Sequence, residues 1–168
     1  MGLFFLRFLL ILVVLFVLEM SMPVQQMLIL PWTTQLAALC GTLVHYFDPG
    51  VLVTGAEIRS SDRSFAVVIR SGCNGVEALI ILIAALFAFP ASNAYRVTGL
   101  LIGALAVQGL NIIRIISLFY LGQWSLSAFQ WAHLYAWEVL IMLDVLIVFM
   151  LWLRALPIPK NHEPVIAT

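Results

Sequence analysis

The chain reads as an all-α integral membrane protein with about four transmembrane helices, one further helix over 27–47 and a small extracytoplasmic β-hairpin over 50–70. Three observations carry that reading. Of 168 residues, 64% are hydrophobic and 10% charged, with a mean hydropathy of +1.11, more apolar surface than a soluble domain of this size can hide. Apolar runs of membrane-crossing length recur, separated by short polar links. Between two of them, Asp48 to Arg70 switches to a period of two, the spacing of strands. The formal net charge is zero, which argues against a nucleic-acid partner and leaves the bilayer as the expected environment.

The first helix spans about Leu3 to Met22, close to the roughly 20 residues a crossing needs. With Arg7 as the single basic residue of Leu3–Val17 it resembles a signal sequence. No small-x-small cleavage site precedes Pro23, so residues 1–22 are expected to stay as an anchor. A membrane core over 23–155 and a disordered tail over 156–168 would follow. Pro23 and Gln25-Gln26 are expected to end the anchor. Met27–Phe47 is apolar enough to span, yet Thr34, Gly41 and His45, with Ala38 between them, fall along one helical face. A weak polar stripe of this kind favours a helix lying in the interface over a spanning one, and both remain open.

In the hairpin, Val51, Val53, Ala56, Ile58, Phe65, Val67 and Ile69 alternate with other residues, and Ser60-Ser61-Asp62-Arg63 supplies a turn. Lipid does not tolerate open strand edges, so the hairpin belongs outside the bilayer. Three helices follow, over about Asn74–Pro90, Val97–Tyr120 and Ala128–Arg154. The first of them has about 17 residues and roughly 25 Å of length, short but adequate. If Met27–Phe47 does not cross, Arg7, Arg96, Arg154 and Lys160 fall on one side of the membrane and Arg59, Arg63 and Arg70 on the other; if it crosses, the N-terminus moves to the outer side and the other assignments stay. The link Leu121–Ser127 has no lysine or arginine, which suits the outer side and places the hairpin there too.

Chemistry concentrates at Ser71-Gly72-Cys73-Asn74-Gly75-Val76-Glu77, where the hairpin feeds a helix. Asn74 is expected to cap that helix, with Glu77 reaching back as a capping box. Cys73 would then lie beside unpaired N–H groups at the positive end of the helix dipole, which favours the nucleophilic thiolate. The plain alternative is a small residue at a helix start. On the next helix, Gln108, Asn111, Arg114 and Ser117 repeat every three residues. Arg114 has no acid within a turn, so its partner is Glu77, a water-filled cleft or a substrate, unless it only snorkels to the interface. Asn111 could add a donor or hold Arg114 in place.

His133 opens the last helix at the same depth as Cys73 and Arg114, among Trp131, Tyr135 and Trp137, which fit an interfacial aromatic belt. Cysteine can attack a carbonyl, histidine can carry the proton, and arginine can hold the oxyanion. Asp144, about 16 Å deeper than His133, is expected to be an interhelical hydrogen-bond partner. Cys40 and His45 are expected to be structural. No C-x-x-C or H-x-x-x-H spacing occurs, so neither a metal nor any other cofactor is expected.

Cys73-Asn74-Gly75 after a strand-like approach, then Asn111-Ile112-Ile113-Arg114, then His133 resembles the motif order of the exosortase/archaeosortase family of membrane cysteine transpeptidases. The resemblance covers roughly Pro31 to Arg154, and the chain looks like a compact form such as the H-type exosortases. Asn74 departs from the Ser or Ala common in the family, though a small polar residue serves equally there. What the resemblance implies is a cysteine peptidase/transpeptidase of the inner (plasma) membrane, with Cys73 as nucleophile, Arg114 holding charge and His133 as acid/base. Its partners would be exported proteins ending in a short motif, a transmembrane helix and a basic tail. The alternative is a non-catalytic membrane assembly or scaffold subunit.

Overall fold

The computed structural model describes residues 2–61 and 65–156. The expected tail at 157–168 and the turn residues Asp62 and Arg63 lie outside the described residues. Five helices run in the order α1 (Gly2–Glu19), α2 (Met22–His45), α3 (Val76–Ala88), α4 (Asn93–Trp124) and α5 (Leu126–Arg154). Strands β1 (Val51–Thr54), β2 (Glu57–Ser60) and β3 (Ala66–Val68) lie between α2 and α3. Both α2 and α5 contain a π-helical turn, at Gln25–Ile29 and Ala132–Ala136.

Among the described residues four helices, α1, α2, α4 and α5, are long and apolar enough to cross a membrane. The number agrees with the sequence reading, but the membership differs. The segment begun at Met27 belongs to a 24-residue helix that starts at Met22. The helix expected over Asn74–Pro90 has 13 residues, about 20 Å against a hydrocarbon thickness of about 30 Å. Pro23 also changes role. The first helix stops at Glu19, where Ser21 Oγ donates to the Leu18 carbonyl at 2.6 Å, and Pro23 sits in the first turn of α2. There its missing N–H costs nothing, so Pro23 opens a helix rather than closing one.

The packed face of α2 is Thr33, Leu36, Ala37, Cys40, Gly41 and Val44. Of the expected polar stripe only Gly41 belongs to it; Ala38 and His45 are exposed. Hydrophobic volume, and not that stripe, chose the buried side. The strands form an antiparallel meander in the order β1-β2-β3, one strand more than the expected hairpin. Its first turn is Gly55-Ala56, with Gly55 at φ +60° closing the Thr54–Glu57 pair.

Two cores result. One joins Leu36, Cys40 and Val44 of α2 to Val51 and Ile58 of the sheet and Phe119 of α4. The other joins Leu82 and Leu86 of α3 to Val107 of α4 and Ile141, Val145 and Trp152 of α5. Glycines let α4 approach its neighbours: a β-carbon at Gly99 would run into Trp152, and one at Gly103 into Leu82 and Val148. Trp152 Nε1 donates to the Tyr95 carbonyl at 2.9 Å, which locks that contact. The loop from Arg70 to Gly75 sits between the two cores.

Gly41 carries the seam between α2 and the sheet, because a β-carbon there would collide with a methyl of Val53. Gly41→Ala is expected to destabilise the protein by about 1–3 kcal/mol through overpacking. Adding Val53→Ala should recover most of that loss, measured as non-additivity in thermal unfolding in detergent.

Candidate active site

The polypeptide reaches α3 through a loop whose turns depend on glycine. Cys73 N–H donates to the Arg70 carbonyl at 2.9 Å, and Gly72 and Gly75 lie at φ +89° and +77°. Only Gly75 fits its place for two reasons, since a β-carbon would also lie 2.7 Å from Gln108 Nε2. Gly75, and not Asn74, occupies the N-cap position of α3.

Asn74 is fully buried, and its side chain works one residue earlier than expected. Its Oδ1 accepts from Val76 N–H at 3.0 Å, and its Nδ2 donates to Thr33 Oγ1 at 3.2 Å. Its carbonyl accepts from Trp32 Nε1 at 3.2 Å. Glu77 reaches back as predicted but misses Asn74; it accepts from Gly72 N–H. The expected capping box is therefore replaced by a longer clasp, because Gly75 in the left-handed region turns the Asn74 backbone away. Ser71 Oγ donates to Gln25 Oε1 at 3.2 Å, and Gln25 Nε2 donates to Glu19, tying the loop to the start of α2.

Cys73, Arg114 and His133 meet, although 60 residues separate the first from the last. Cys73 Sγ lies 3.9 Å from His133 Nε2 and 3.9 Å from Arg114 Nη2. Arg114 Nη2 lies 3.5 Å from His133 Nδ1. One nitrogen of the ring thus faces the thiol and the other faces the guanidinium. Arg114 is 3% exposed, so it does not snorkel into water. Its acidic neighbour is Glu138, with Oε2 at 3.8 Å, and not Glu77. The three groups border a cavity of about 120 Å³, closed by residues 66–69, Leu118 and Phe129. Phe129 stacks on the His133 ring with centroids 5.7 Å apart.

Asn111 lies fully buried one turn below Arg114, but neither of its side-chain polar atoms has a hydrogen-bond partner, so it does not hold Arg114. Gln108, half-buried one turn further down, likewise has no hydrogen-bond partner for either side-chain polar atom. Asp144 Oδ2 is likewise buried without a bond, which replaces the interhelical partnership expected of it. Cys40 is a free, fully buried thiol inside the first core.

Two contributors were missed from the sequence. Glu138 is five residues from His133, roughly 140° apart on a regular α-helix. The π turn at Ala132–Ala136, with Trp137 N–H bonded to the Ala132 carbonyl, widens the helix and brings both residues to Arg114. The other is Gln25: its place in a polar pair after a proline marks a helix end and gives no signal of its long-range role.

The expected depression of the Cys73 thiol is also corrected. Burial pushes it up, the Arg114 charge pulls it down, and Glu77 and Glu138 push it up further. Burial outweighs the helix end because the sulfur sits three residues ahead of α3, against apolar β3 and α4 side chains.

Fold and site together define a helical membrane protein in which a half-buried Cys73, in the loop ahead of a short helix, meets the half-buried His133 and the buried Arg114. The family model described as transmembrane exosortase (Exosortase_EpsH) matches residues 1–153, and the chain belongs to that family. No curated protein and no solved structure matches it.

Arg114 is the group that lowers the thiol. Arg114→Gln should therefore move the Cys73 titration to higher pH and leave less thiolate at neutral pH. Alkylation by iodoacetamide, followed at the Cys73 peptide by mass spectrometry, is expected to slow several-fold near pH 7.5 and to recover as pH rises. An unchanged pH profile would remove Arg114 from the electrostatics of the thiol.

Proposed function

We propose that the protein is a membrane-embedded cysteine peptidase/transpeptidase acting on the C-terminal sorting signals of exported proteins. The observation that carries this reading is the mutual approach of Cys73, His133 and Arg114 within 3.9 Å at the border of a cavity. His133 Nε2 takes the thiol proton, and the sulfur adds to a peptide carbonyl carbon near the target's motif. Arg114, held 3.9 Å from the sulfur, stabilises the oxyanion. The C–N bond breaks as Nε2 returns its proton to the departing nitrogen, and the target's membrane tail leaves with it. The thioester on Cys73 then passes its acyl group to an acceptor nucleophile or to water.

The substrates of this reading carry a short motif, a hydrophobic helix and a basic tail, and a chain of the H type would read its own form of the motif. The site faces the extracytoplasmic side of the plasma membrane, where exported proteins are. In support, the junction of α4 and α5, at the same end as Arg114 and His133, carries no lysine or arginine between Leu121 and Ser127.

Cys73→Ala is expected to insert and accumulate normally while abolishing the shortening of a co-expressed exported protein that ends in such a signal. Cys73→Ser should be nearly as damaging, since an alkoxide forms far less readily than a thiolate. The readout is the target's electrophoretic mobility and C-terminal mass. Normal processing by the alanine variant would favour the scaffold reading instead.

A further inference from the structure

We infer that the free edge of β3 receives an extended stretch of the substrate polypeptide as an added strand, which brings a carbonyl to Cys73. The inference rests on the peptidase reading above and names how that site holds its substrate.

In the order β1-β2-β3, β3 has a strand on one side only among the described residues. The register fixes which of its groups are spent. Ile69 N–H donates to the Ala56 carbonyl and Ser60 N–H to the Phe65 carbonyl. Antiparallel ladders alternate between bonded and non-bonded pairs, so Ile58–Val67 is a bonded pair, while Arg59–Ala66 and Glu57–Val68 are not. The main-chain N–H and C=O groups of Ala66 and Val68 therefore point away from β2.

They point along the cavity. Residues 66, 67, 68 and 69 all border it, together with Cys73. A strand seen face-on contributes alternate residues, whereas a strand seen edge-on contributes consecutive ones. The opposite wall is Ile115 and Leu118 of α4 and Phe129 and His133 of α5, which carry no strand to pair with β3. Ala66 is half-buried and Val68 exposed, so their outward main-chain donors and acceptors, beside a half-buried thiol, are open to a partner, and an extended peptide supplies one in register.

The chemistry fits the substrate class. The residues around a scissile bond must be extended for sulfur to reach the carbonyl, and strand addition imposes that conformation without reading side chains. The main chain of Ala66 and Val68 supplies affinity, and the cavity of about 120 Å³ receives a side chain of the added strand. One edge can thus serve targets that differ in sequence outside their motif.

Proline isolates the claim, because at an outward-facing edge position it removes only the unused N–H and leaves the sheet its bonds. In the full-length protein, Val68→Pro is expected to reduce processing of the co-expressed target about tenfold, the scale of one main-chain hydrogen bond together with the bulk of the ring. Val68→Ala, which keeps the N–H, should lose far less. Iodoacetamide labelling of Cys73 at the parental rate would show that the loop is intact in both variants. The complementary measurement leaves the enzyme untouched: a proline scan through the residues flanking the target's motif should block processing at every second position. Processing by Val68→Pro at the parental rate, or a scan without that period, overturns the added strand while leaving the peptidase reading standing. Normal processing by Cys73→Ala would overturn the peptidase reading itself.

Discussion

Everything at the site depends on satisfying the backbone of one irregular loop next to a helix too short to span. Helix α3 is only about 20 Å long, short of a hydrocarbon layer of about 30 Å, and the non-helical backbone ahead of it leads straight into an apolar bundle. Non-helical backbone beside lipid is tolerated only where protein buries and bonds it. Asn74 does most of this, accepting from Val76 N–H, donating to Thr33 and receiving Trp32 at its carbonyl. Glu77 takes the Gly72 N–H and Gln25 takes the Ser71 hydroxyl. Removing the Asn74 side chain would leave the Val76 N–H without its acceptor, at about 1–3 kcal/mol, and would take a donor from Thr33 Oγ1, which keeps its bond to the Ile29 carbonyl. The loop is held from α2 as much as from α3, which explains why a segment that looked peripheral in sequence packs so tightly against the strands.

The two cores give that loop its rigidity. The sheet, α2 and the last turns of α4 make one; α3, α5 and the first half of α4 make the other. Helix α4 belongs to both, and Arg114 lies on it between them. A guanidinium 3% exposed is costly unless its charge is answered. Here Glu138, itself mostly exposed, stands 3.8 Å away, too far for a tight ion pair. The charge is left to act on its surroundings, and Cys73 and His133 are those surroundings. The same desolvation that disfavours the thiolate strengthens the attraction of Arg114 for it, because both follow from a lower local dielectric.

How much of this could be read from the residues follows from what each feature depends on. Cys73, Arg114 and His133 were legible because each places chemistry where a membrane protein gains nothing from it, and because counting crossings puts them at one end. The strands were legible from their period, but not the third strand, whose pairing with β2 is a matter of register across a loop. Pro23 was misread because a proline marks a boundary without saying which helix it bounds. The π turn in α5 leaves no mark in residue type, and without it Glu138 faces away from Arg114. Asn74 was assigned the right kind of bond at the wrong position, since Gly75 at φ +77° shifts the helix start by one residue.

Arg114 has more donors than its neighbours use. Its Nη2 is shared among Cys73, His133 and Glu138 at 3.5 to 3.9 Å, all long, and its Nε is buried with no partner. A native protein seldom leaves a buried charged donor in this state, because full satisfaction would stabilise it further. The long contacts are what a site requires if its strongest interaction is reserved for a later state. An oxyanion generated beside the sulfur carries a full charge and accepts bidentate donation, so it can draw the guanidinium from three weak contacts into two short ones. Interactions that strengthen only as charge develops lower a barrier, whereas those already complete in the resting protein do not. On the peptidase reading proposed above, the incomplete bonding of Arg114 is therefore the feature that most separates an acyl-transfer site from a merely structural buried arginine.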